Sequence, residues 1–308
     1  MKKKFMLLIA EAAILNIAVP YYIWLTWGDS SMFFPAFCVA ILLILAFVSI
    51  QGYFIVIKPN LQRVKELEAT AKESKEAELL RREFVANVSH ELKTPLTSIS
   101  GFIETLQDGA AEDPEIRHKF IDIIAIETSR LKRLIEDLLV LSDIENRRDS
   151  EGGEFDIKTA MENTVEALKP IWEAKSIRII TELEEGLSIT GSVDRFRQMM
   201  VNLIENAVKY SDEGGRIWLK AVKDGDRIVV SVRDEGIGIA TEHHERLFER
   251  FYRVDKSRSK KAGGTGLGLS IVKHIAVLFG ATLNVKSQVG EGSEFFVIFK
   301  TEDKMNDS

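Results

Sequence analysis

The chain has 308 residues, a formal net charge of −6 and a hydrophobic content of 45%. This length favours two or more domains, and the mildly acidic balance argues against a protein whose partner is nucleic acid. Because Cys38 is the single cysteine, the sequence excludes an intrachain disulfide and a zinc site built from cysteines.

The N-terminal part contains two long apolar runs, from Phe5 to Trp27 and from Met32 to Ile57. Each exceeds the roughly 20 residues that a helix needs to cross a bilayer, so we expect a transmembrane hairpin within residues 1–58. A cleaved signal peptide is the alternative for the first run. Lysine and arginine flank the outer ends of the pair but not the turn between them, which places both termini on the cytoplasmic side.

The turn between these runs, residues 28–31, is too short to fold into a ligand-binding domain. We therefore expect the stimulus to come from the membrane, from a partner or from inside the cell. Glu11 lies within the first run, where a carboxylate is costly. Two interpretations stay open: a polar contact with a partner helix or a transporter, or a side chain that reaches water near the cytoplasmic end.

Two helical segments are predicted next. Residues 59–83 are rich in Glu, Lys and Ala, which is typical of a helix, either a short coiled coil or a solvated single helix. Within residues 84–148, apolar side chains recur every three or four positions on both sides of "DGAAEDPE", where Asp113 is expected to cap the second helix. Since two narrow apolar stripes cannot be buried within one hairpin, we predict a four-helix bundle made by two chains, hence a homodimer.

The periodicity changes after "NRRDSEGGE", and residues 149–302 are predicted to form an α+β layered domain, followed by a flexible tail at 303–308. The predicted elements are a strand at 155–158, a helix at 159–175, strands at 176–182 and 187–191, a helix from Ser192 to Tyr210, a hairpin of strands 216–223 and 227–233, a helix at 266–279 and two final strands.

His90 is the first candidate for chemistry. It lies two residues from apolar positions on either side, about 200° away at 100° per residue, so it should face solvent. Glu91 can orient the imidazole and accept its ring proton, which makes the pair a candidate nucleophile and base. A helical metal site would need a second ligand where Thr94 stands. Pro95 leaves the Glu91 carbonyl without its helical donor and is expected to bend the helix.

The segment "FVANVSHELKTPLTSISGF" resembles the phosphoacceptor box of bacterial sensor histidine kinases. The resemblance implies that His90 is phosphorylated and that Glu91 activates it. It also implies that Thr94 helps a water molecule attack the phosphorylated partner, and that Pro95 is the helix-bending proline of the family.

A polar stripe runs along the predicted helix "RFRQMMVNLIENAVKYS". Asn202 and Asn206 lie four residues apart on one face, with Lys209 just after them. Amide oxygens suit Mg²⁺ that is shared with nucleotide phosphates, and lysine suits phosphate. A solvated helix face is the alternative interpretation.

Two glycine-containing stretches follow. "DEGIGI" comes after a strand, so Asp234 could accept a hydrogen bond from an exocyclic amine while Gly236 and Gly238 let a ring approach the backbone. "GGTGLGL", residues 263–269, fits neither the dinucleotide fingerprint nor the P-loop, yet a glycine-rich turn that opens a helix can cradle phosphate. The basic stretch "RVDKSRSKKA" before it is expected to be a mobile lid, with a plain solvated loop as the alternative.

Together these motifs resemble the ATP-binding domain of histidine kinases, which shares its fold with gyrase-type ATPases and Hsp90-like chaperones; "LFERFYR" matches the family's phenylalanine-containing box. The resemblance implies ATP and Mg²⁺ as cofactors, with the metal at Asn206 and Asn202. The implied cofactor-binding residues are Asn202, Asn206, Lys209, Tyr210, Asp234, Gly236, Gly238, Arg253, Gly264, Thr265, Gly266, Leu267 and Gly268.

We therefore expect a multidomain chain: a transmembrane hairpin, an all-α helical-hairpin dimerisation domain and a C-terminal α+β sandwich of the gyrase–Hsp90–histidine kinase type. The resemblance implies a sensor kinase of the bacterial cytoplasmic membrane. It would autophosphorylate His90 from ATP-Mg and pass the phosphoryl group to an aspartate of a response regulator, which it would also dephosphorylate. Similarity to phosphate-regulon-type kinases suggests an OmpR-type regulator. The alternatives are a gyrase- or chaperone-like ATPase and a scaffold that acts mainly as a phosphatase through Thr94.

Overall fold

The computed structural model describes residues 2–28, 33–54, 58–146, 152–255 and 264–300. Most of the predicted lid and the whole predicted tail lie outside these ranges. The chain divides into two compact units, Met1–Glu83 and Phe84–Ser308.

The first unit contains helices α1 (Lys2–Trp27) and α2 (Phe33–Gly52), which pack against each other, and the beginning of α3 (Lys58–Gln107). Across the described residues, no helix combines the length and the apolar character that a membrane span requires. The transmembrane hairpin stays a prediction from the sequence.

The second unit begins with a helical hairpin, as predicted. The later part of α3 is followed by a short 3₁₀ turn, Ala110–Glu112, and by α4 (Pro114–Asn146). The predicted cap is confirmed, because Asp113 Oδ1 accepts hydrogen bonds from the N–H groups of Glu115, at 2.9 Å, and of Ile116, at 3.2 Å. The two helices also pack through the rings of Phe102 and Phe120, whose centroids lie 4.9 Å apart.

The remainder forms the α/β domain that the motifs predict. Its elements, in chain order, are β1 (Glu154–Asp156), α5 (Ile157–Ala167), α6 (Lys169–Glu173), β2 (Arg178–Leu183), β3 (Ser188–Thr190), α7 (Val193–Tyr210), β4 (Arg216–Asp224), β5 (Arg227–Asp234), a 3₁₀ turn (Thr241–Arg246), α8 (Gly268–Leu278), β6 (Thr282–Gln288) and β7 (Gly292–Lys300). A five-stranded sheet has the order β2-β4-β5-β7-β6, in which β2 and β4 are parallel and the other neighbours antiparallel; β1 and β3 form a separate small sheet. Helices α7 and α8 pack on each other and on the large sheet.

Two predicted elements differ from the structure. The strand predicted at 155–158 ends at Asp156, because the Asp156 side chain accepts a hydrogen bond from the Thr159 N–H at 2.7 Å and so caps α5. The helix predicted at 159–175 is two helices that meet at Leu168. Pro170 supplies the physical reason, since it has no N–H for a continuing helix and suits the first turn of a new one.

Within the second unit, the helical hairpin packs directly on the α/β domain. Leu134, Leu141 and Ile144 of α4 are buried in the same apolar core as Phe196 and Leu203 of α7. From α3, the ring of Phe84 lies 5.9 Å from that of Phe251. The helical hairpin, which carries His90, is therefore packed against the domain that contains the three candidate nucleotide-binding motifs.

Candidate functional site

His90 is exposed on α3, as its spacing predicts. Thr94 lies one turn later, and its hydroxyl donates to the His90 carbonyl oxygen at 3.1 Å. Helix α3 continues through Pro95, whose side chain is buried. The predicted bend at Pro95 stays a prediction.

Glu91 is paired with two arginines. Its Oε2 accepts a hydrogen bond from Arg130 Nη2 at 3.0 Å and another from Arg253 Nη2 at 3.2 Å. The side chains of Glu91, Arg130 and Arg253 are only 21%, 10% and 7% exposed, respectively. Pairing with two guanidinium groups in such a poorly hydrated position fixes the carboxylate in one orientation.

Arg253 connects the phosphoacceptor helix to the glycine-rich turn. While Nη2 binds Glu91, Nε is buried and has no acceptor among the described residues. A methyl group added to Gly266 would lie 3.2 Å from this Nε, so the free N–H lies beside the turn. Burial lowers the pKa of Arg253, and the Glu91 carboxylate opposes that shift. The guanidinium therefore has a spare donor where an anion could bind.

Helix α7 presents the predicted polar stripe. Ser192 caps its start, with Oγ accepting from the Arg195 N–H at 3.4 Å. Asn202 Nδ2 donates to the Gln198 carbonyl at 2.9 Å, which directs Oδ1 to the opposite side. A methyl group added to Gly268 would lie 2.8 Å from that Oδ1. An amide oxygen thus faces the glycine-rich turn, which fits a hard cation shared with phosphate.

The end of α7 carries Lys209 and Tyr210. The Lys209 ammonium lies 5.0 Å from the centre of the Tyr210 ring, and burial lowers the Lys209 pKa. Lys175, which the sequence did not single out, donates from Nζ to the carbonyl oxygens of Val208 at 2.9 Å, Lys209 at 3.1 Å and Ser211 at 2.5 Å. This cation satisfies the carbonyls that the last turn leaves free.

Asp234 is 5% exposed at the end of β5. Its Oδ1 accepts from the N–H groups of Gly236, at 2.8 Å, and of Ser293, at 3.3 Å. Burial raises the pKa of Asp234, and these two hydrogen bonds oppose the shift. In the described part of the chain no protein group donates to Oδ2, which leaves that oxygen for a ligand amine.

The structure gives a different reason for the glycines of "DEGIGI". A methyl group on Gly236 would overlap the Tyr210 carbonyl oxygen. Gly238 has φ of 65°, and a methyl group there would overlap the Gln288 carbonyl. These glycines let the loop pass α7 and β6, which is a packing requirement, and the approach of a ring to the backbone stays a prediction.

The glycine-rich turn is anchored on both sides. Gly264 is its first described residue; Gly266 has φ of 77°, and its carbonyl accepts from the Phe251 N–H at 2.9 Å. Thr265 Oγ1 donates to Asp137 Oδ2 of α4 at 2.6 Å. The Leu267 side chain is fully buried in the core, so only its backbone can face a ligand. Gly268 opens α8, whose first N–H groups have no helical partners.

Sequence reasoning missed Arg130 and Asp137 on α4. A signal was present, because both lie at spacings of three or four residues from the buried Leu134 and Leu141. A charged residue in register with buried leucines must find a polar partner inside the protein. Arg130 finds Glu91, and Asp137 finds Thr265.

Two families match the chain. Residues 80–147 match the family described as "His Kinase A (phospho-acceptor) domain". Residues 191–303 match the family described as "Histidine kinase-, DNA gyrase B-, and HSP90-like ATPase". The first match contains His90 and α4, and the second contains α7, Asp234 and the glycine-rich turn.

Individual relatives of the chain are also histidine kinases. The sensor-like histidine kinase SenX3 of Mycolicibacterium smegmatis is 39% identical over 219 residues, 71% of this chain and 57% of that protein. The sensor protein kinase WalK of Staphylococcus aureus is 37% identical over 234 residues, 75% of this chain and 56% of that protein. The chain thus spans little more than half the length of these relatives. The crystal structure of histidine kinase ThkA in complex with response regulator protein TrrA is similar, with a TM-score of 0.61, 26% identity and coverage of 78% of this chain and 68% of that one. With both domains present in one chain and these relatives along most of it, the protein belongs to the two-component sensor histidine kinase family.

Proposed function

We propose that this chain is an ATP-dependent protein-histidine kinase that phosphorylates its own His90. The observation that carries the proposal is the position of Arg253. Its guanidinium binds the carboxylate next to the exposed histidine and also turns an unpaired N–H toward the glycine-rich turn. One residue thereby links a candidate nucleophile to a candidate phosphate cradle.

In the proposed reaction a ring nitrogen of His90 attacks the γ-phosphorus of ATP. The nitrogen–phosphorus bond forms, the bond from that phosphorus to the bridging oxygen breaks, and ADP leaves. Glu91 orients the imidazole and accepts the proton from its other nitrogen. Arg253 stabilises the charge on the transferring group through its N–H donors. These residues need little movement to act together, because Glu91 and Arg253 are already in contact.

The nucleotide side of the proposal uses α7 and the two loops. Asp234 Oδ2 would accept the adenine amine, and Lys209 with the N–H groups at the start of α8 would bind phosphate. Asn202 and Asn206 would hold Mg²⁺, since amide oxygens on one helix face suit a cation that keeps several waters. When bound, Mg²⁺ neutralises charge on the phosphates.

We propose that the second substrate is an aspartate of a response regulator, of the OmpR type by sequence similarity. The ThkA–TrrA complex shows that a similar kinase binds a regulator. Thr94 would assist the reverse task, removal of phosphate from the regulator, by positioning a water molecule. Its hydroxyl now donates to the His90 carbonyl and would have to rotate.

We propose a homodimer because the hairpin leaves an apolar face uncovered. Large apolar side chains on this face are between 41% and 65% exposed, and they recur at helical spacing on both helices: Leu96, Ile103, Ile121, Ile135 and Leu139. A second copy would bury them in a four-helix bundle. Analytical ultracentrifugation of the detergent-solubilised chain should give twice the monomer mass, and a monomer at micromolar concentration would refute this part.

We also propose attachment to the bacterial cytoplasmic membrane, close to a membrane partner or transporter that Glu11 contacts. This part rests on the sequence alone: two apolar runs with lysine and arginine at their outer ends. The chain should stay with membranes in alkaline carbonate and leave them only in detergent. Release by carbonate alone would contradict a spanning hairpin.

The test of the kinase is transfer of radiolabel from γ-labelled ATP. The chain should acquire phosphate that is labile in acid and stable in alkali, and His90→Gln should abolish the label. His118→Gln is the matched control, because His118 is also an exposed histidine on the hairpin. Label that persists in His90→Gln would refute the proposal. ATP hydrolysis without any label would favour a gyrase- or chaperone-like ATPase instead.

A further inference from the structure

A single carboxylate oxygen, Glu91 Oε2, accepts hydrogen bonds from two arginines that belong to different parts of the protein. Arg130 lies on α4, in the same helical hairpin as Glu91. Arg253 lies in the α/β domain and is the first residue of the predicted lid. Two guanidinium groups on one oxygen are more than is needed to neutralise one carboxylate.

The surroundings of the two arginines differ. Arg130 pairs with Glu91 at 3.0 Å and with Glu127, on its own helix, at 3.7 Å. Arg253 binds Glu91 with Nη2, and its Nε, which has no acceptor among the described residues, lies beside the glycine-rich turn. Phosphate at the turn would therefore share the guanidinium of Arg253 with Glu91.

This difference matters at the moment of reaction. If Arg253 were the sole partner of Glu91, phosphate that draws on the same guanidinium would loosen the contact that holds this poorly hydrated carboxylate in place. A second arginine on the same hairpin keeps Glu91 oriented, because its contact does not depend on the nucleotide.

We infer that Arg130 is a positioning residue: it keeps Glu91 oriented toward His90 while Arg253 also binds the phosphate. The inference rests on the proposed kinase function, and it assigns the two arginines different tasks. Arg253 is shared between carboxylate and phosphate, and Arg130 is the constant partner. A purely structural Arg130 would merely join α3 to α4.

The test is the rate of His90 phosphorylation as a function of ATP concentration, which separates the maximal rate from the KM for ATP. Arg130→Met should lower the maximal rate about tenfold or more, because Glu91 loses its orientation, and should leave the KM for ATP nearly unchanged.

Three further variants separate positioning from structure. Arg130→Lys retains the charge and should restore most of the maximal rate. Lys132→Met, which removes a cation from an exposed position on the same helix, should match the wild type. Arg130→Met added to Glu91→Gln should have no additional effect on the rate, because both changes remove the same contribution.

The outcomes are distinguishable. If the wild type does not label His90, the proposed function is wrong. If the wild type is labelled but Arg130→Met keeps the maximal rate, or raises the KM instead of lowering that rate, the positioning role is wrong. Should Arg130→Met fail to fold, Arg130→Lys decides alone. A folded Arg130→Lys that loses nine-tenths of the maximal rate overturns the inference.

Discussion

Lys175 offers a direct way to test how the end of α7 is held in place. Its ammonium donates to the carbonyl oxygens of Val208, Lys209 and Ser211 at 2.9, 3.1 and 2.5 Å. Lys175→Met keeps most of the aliphatic side chain but removes the charge and all three donors. The carbonyls of the last turn would then depend on water.

Lys175→Met should lower the free energy of local opening at the end of α7. Hydrogen bonds from a charged donor contribute about 1.5–3 kcal/mol each, and a cation at a helix C-terminus up to about 2 kcal/mol in a partly buried position. These contributions overlap, and water replaces part of them, so we expect about 2 kcal/mol in total. That value corresponds to roughly 30-fold faster local opening.

Hydrogen–deuterium exchange of the α7 backbone measures this opening. Amides of the last turn should exchange roughly 30-fold faster in Lys175→Met, and ATP affinity should fall because Lys209 and Tyr210 lie on that turn. Lys169→Met is the matched control, since Lys169 lies on the protein surface and, among the described residues, pairs only with Glu166, at 3.5 Å. Equal exchange rates in the two variants would refute the reasoning.

Three further outcomes follow from single contacts. Asp234→Asn keeps an oxygen for the N–H groups at the turn but replaces Oδ2 by a donor. ATP affinity should fall at least about tenfold and GTP should compete better, and unchanged selectivity would contradict the assignment. Thr94→Ala should leave His90 labelling intact and slow dephosphorylation of the regulator, and equal loss of both would point to misfolding. A hydrogen bond from the Thr159 N–H lowers the pKa of Asp156, so its cap is effective above the unfolded pKa and is lost as pH falls through the lower folded one. Asp156→Ala should therefore cost about 1 kcal/mol in urea unfolding at pH 7 and almost nothing in strong acid, whereas a constant difference would refute the cap.

Local patterns predicted much of the second unit correctly. The cap at Asp113, the cap at Ser192 and the hairpin turn at Gly225 depend on a few neighbouring residues, and all three are present. The break at Leu168 was not predicted. Apolar residues continue at helical spacing across Pro170, so the pattern predicted one helix where the structure has two. Periodicity reports which face is buried, and it does not report where the backbone loses a donor.

The site was predictable in its parts but not in its connections. His90 and Glu91 were found from adjacent residues, and Asp234 from a motif. The contact of Glu91 with Arg253 joins residues 162 positions apart, which no local pattern encodes. Arg130 was hidden for a different reason: along an amphipathic helix, a charge is normally assigned to the solvated face.

Helix α4 explains how the two domains of the second unit find one relative position. Its buried leucines alone could pack on α7 and α8 after a shift of one helical turn, because a 3–4 spacing repeats. Its polar contacts with the α/β domain could not, since each has a different partner: Asp137 pairs with Thr265, and Asp143 with Arg195. After a shift of one turn both contacts would be lost, at a cost of about 1–3 kcal/mol for a buried group such as the Thr265 hydroxyl. The apolar face of α4 thus holds the two domains together. The charged residues within that face determine the relative position in which Glu91, Arg253 and the glycine-rich turn meet.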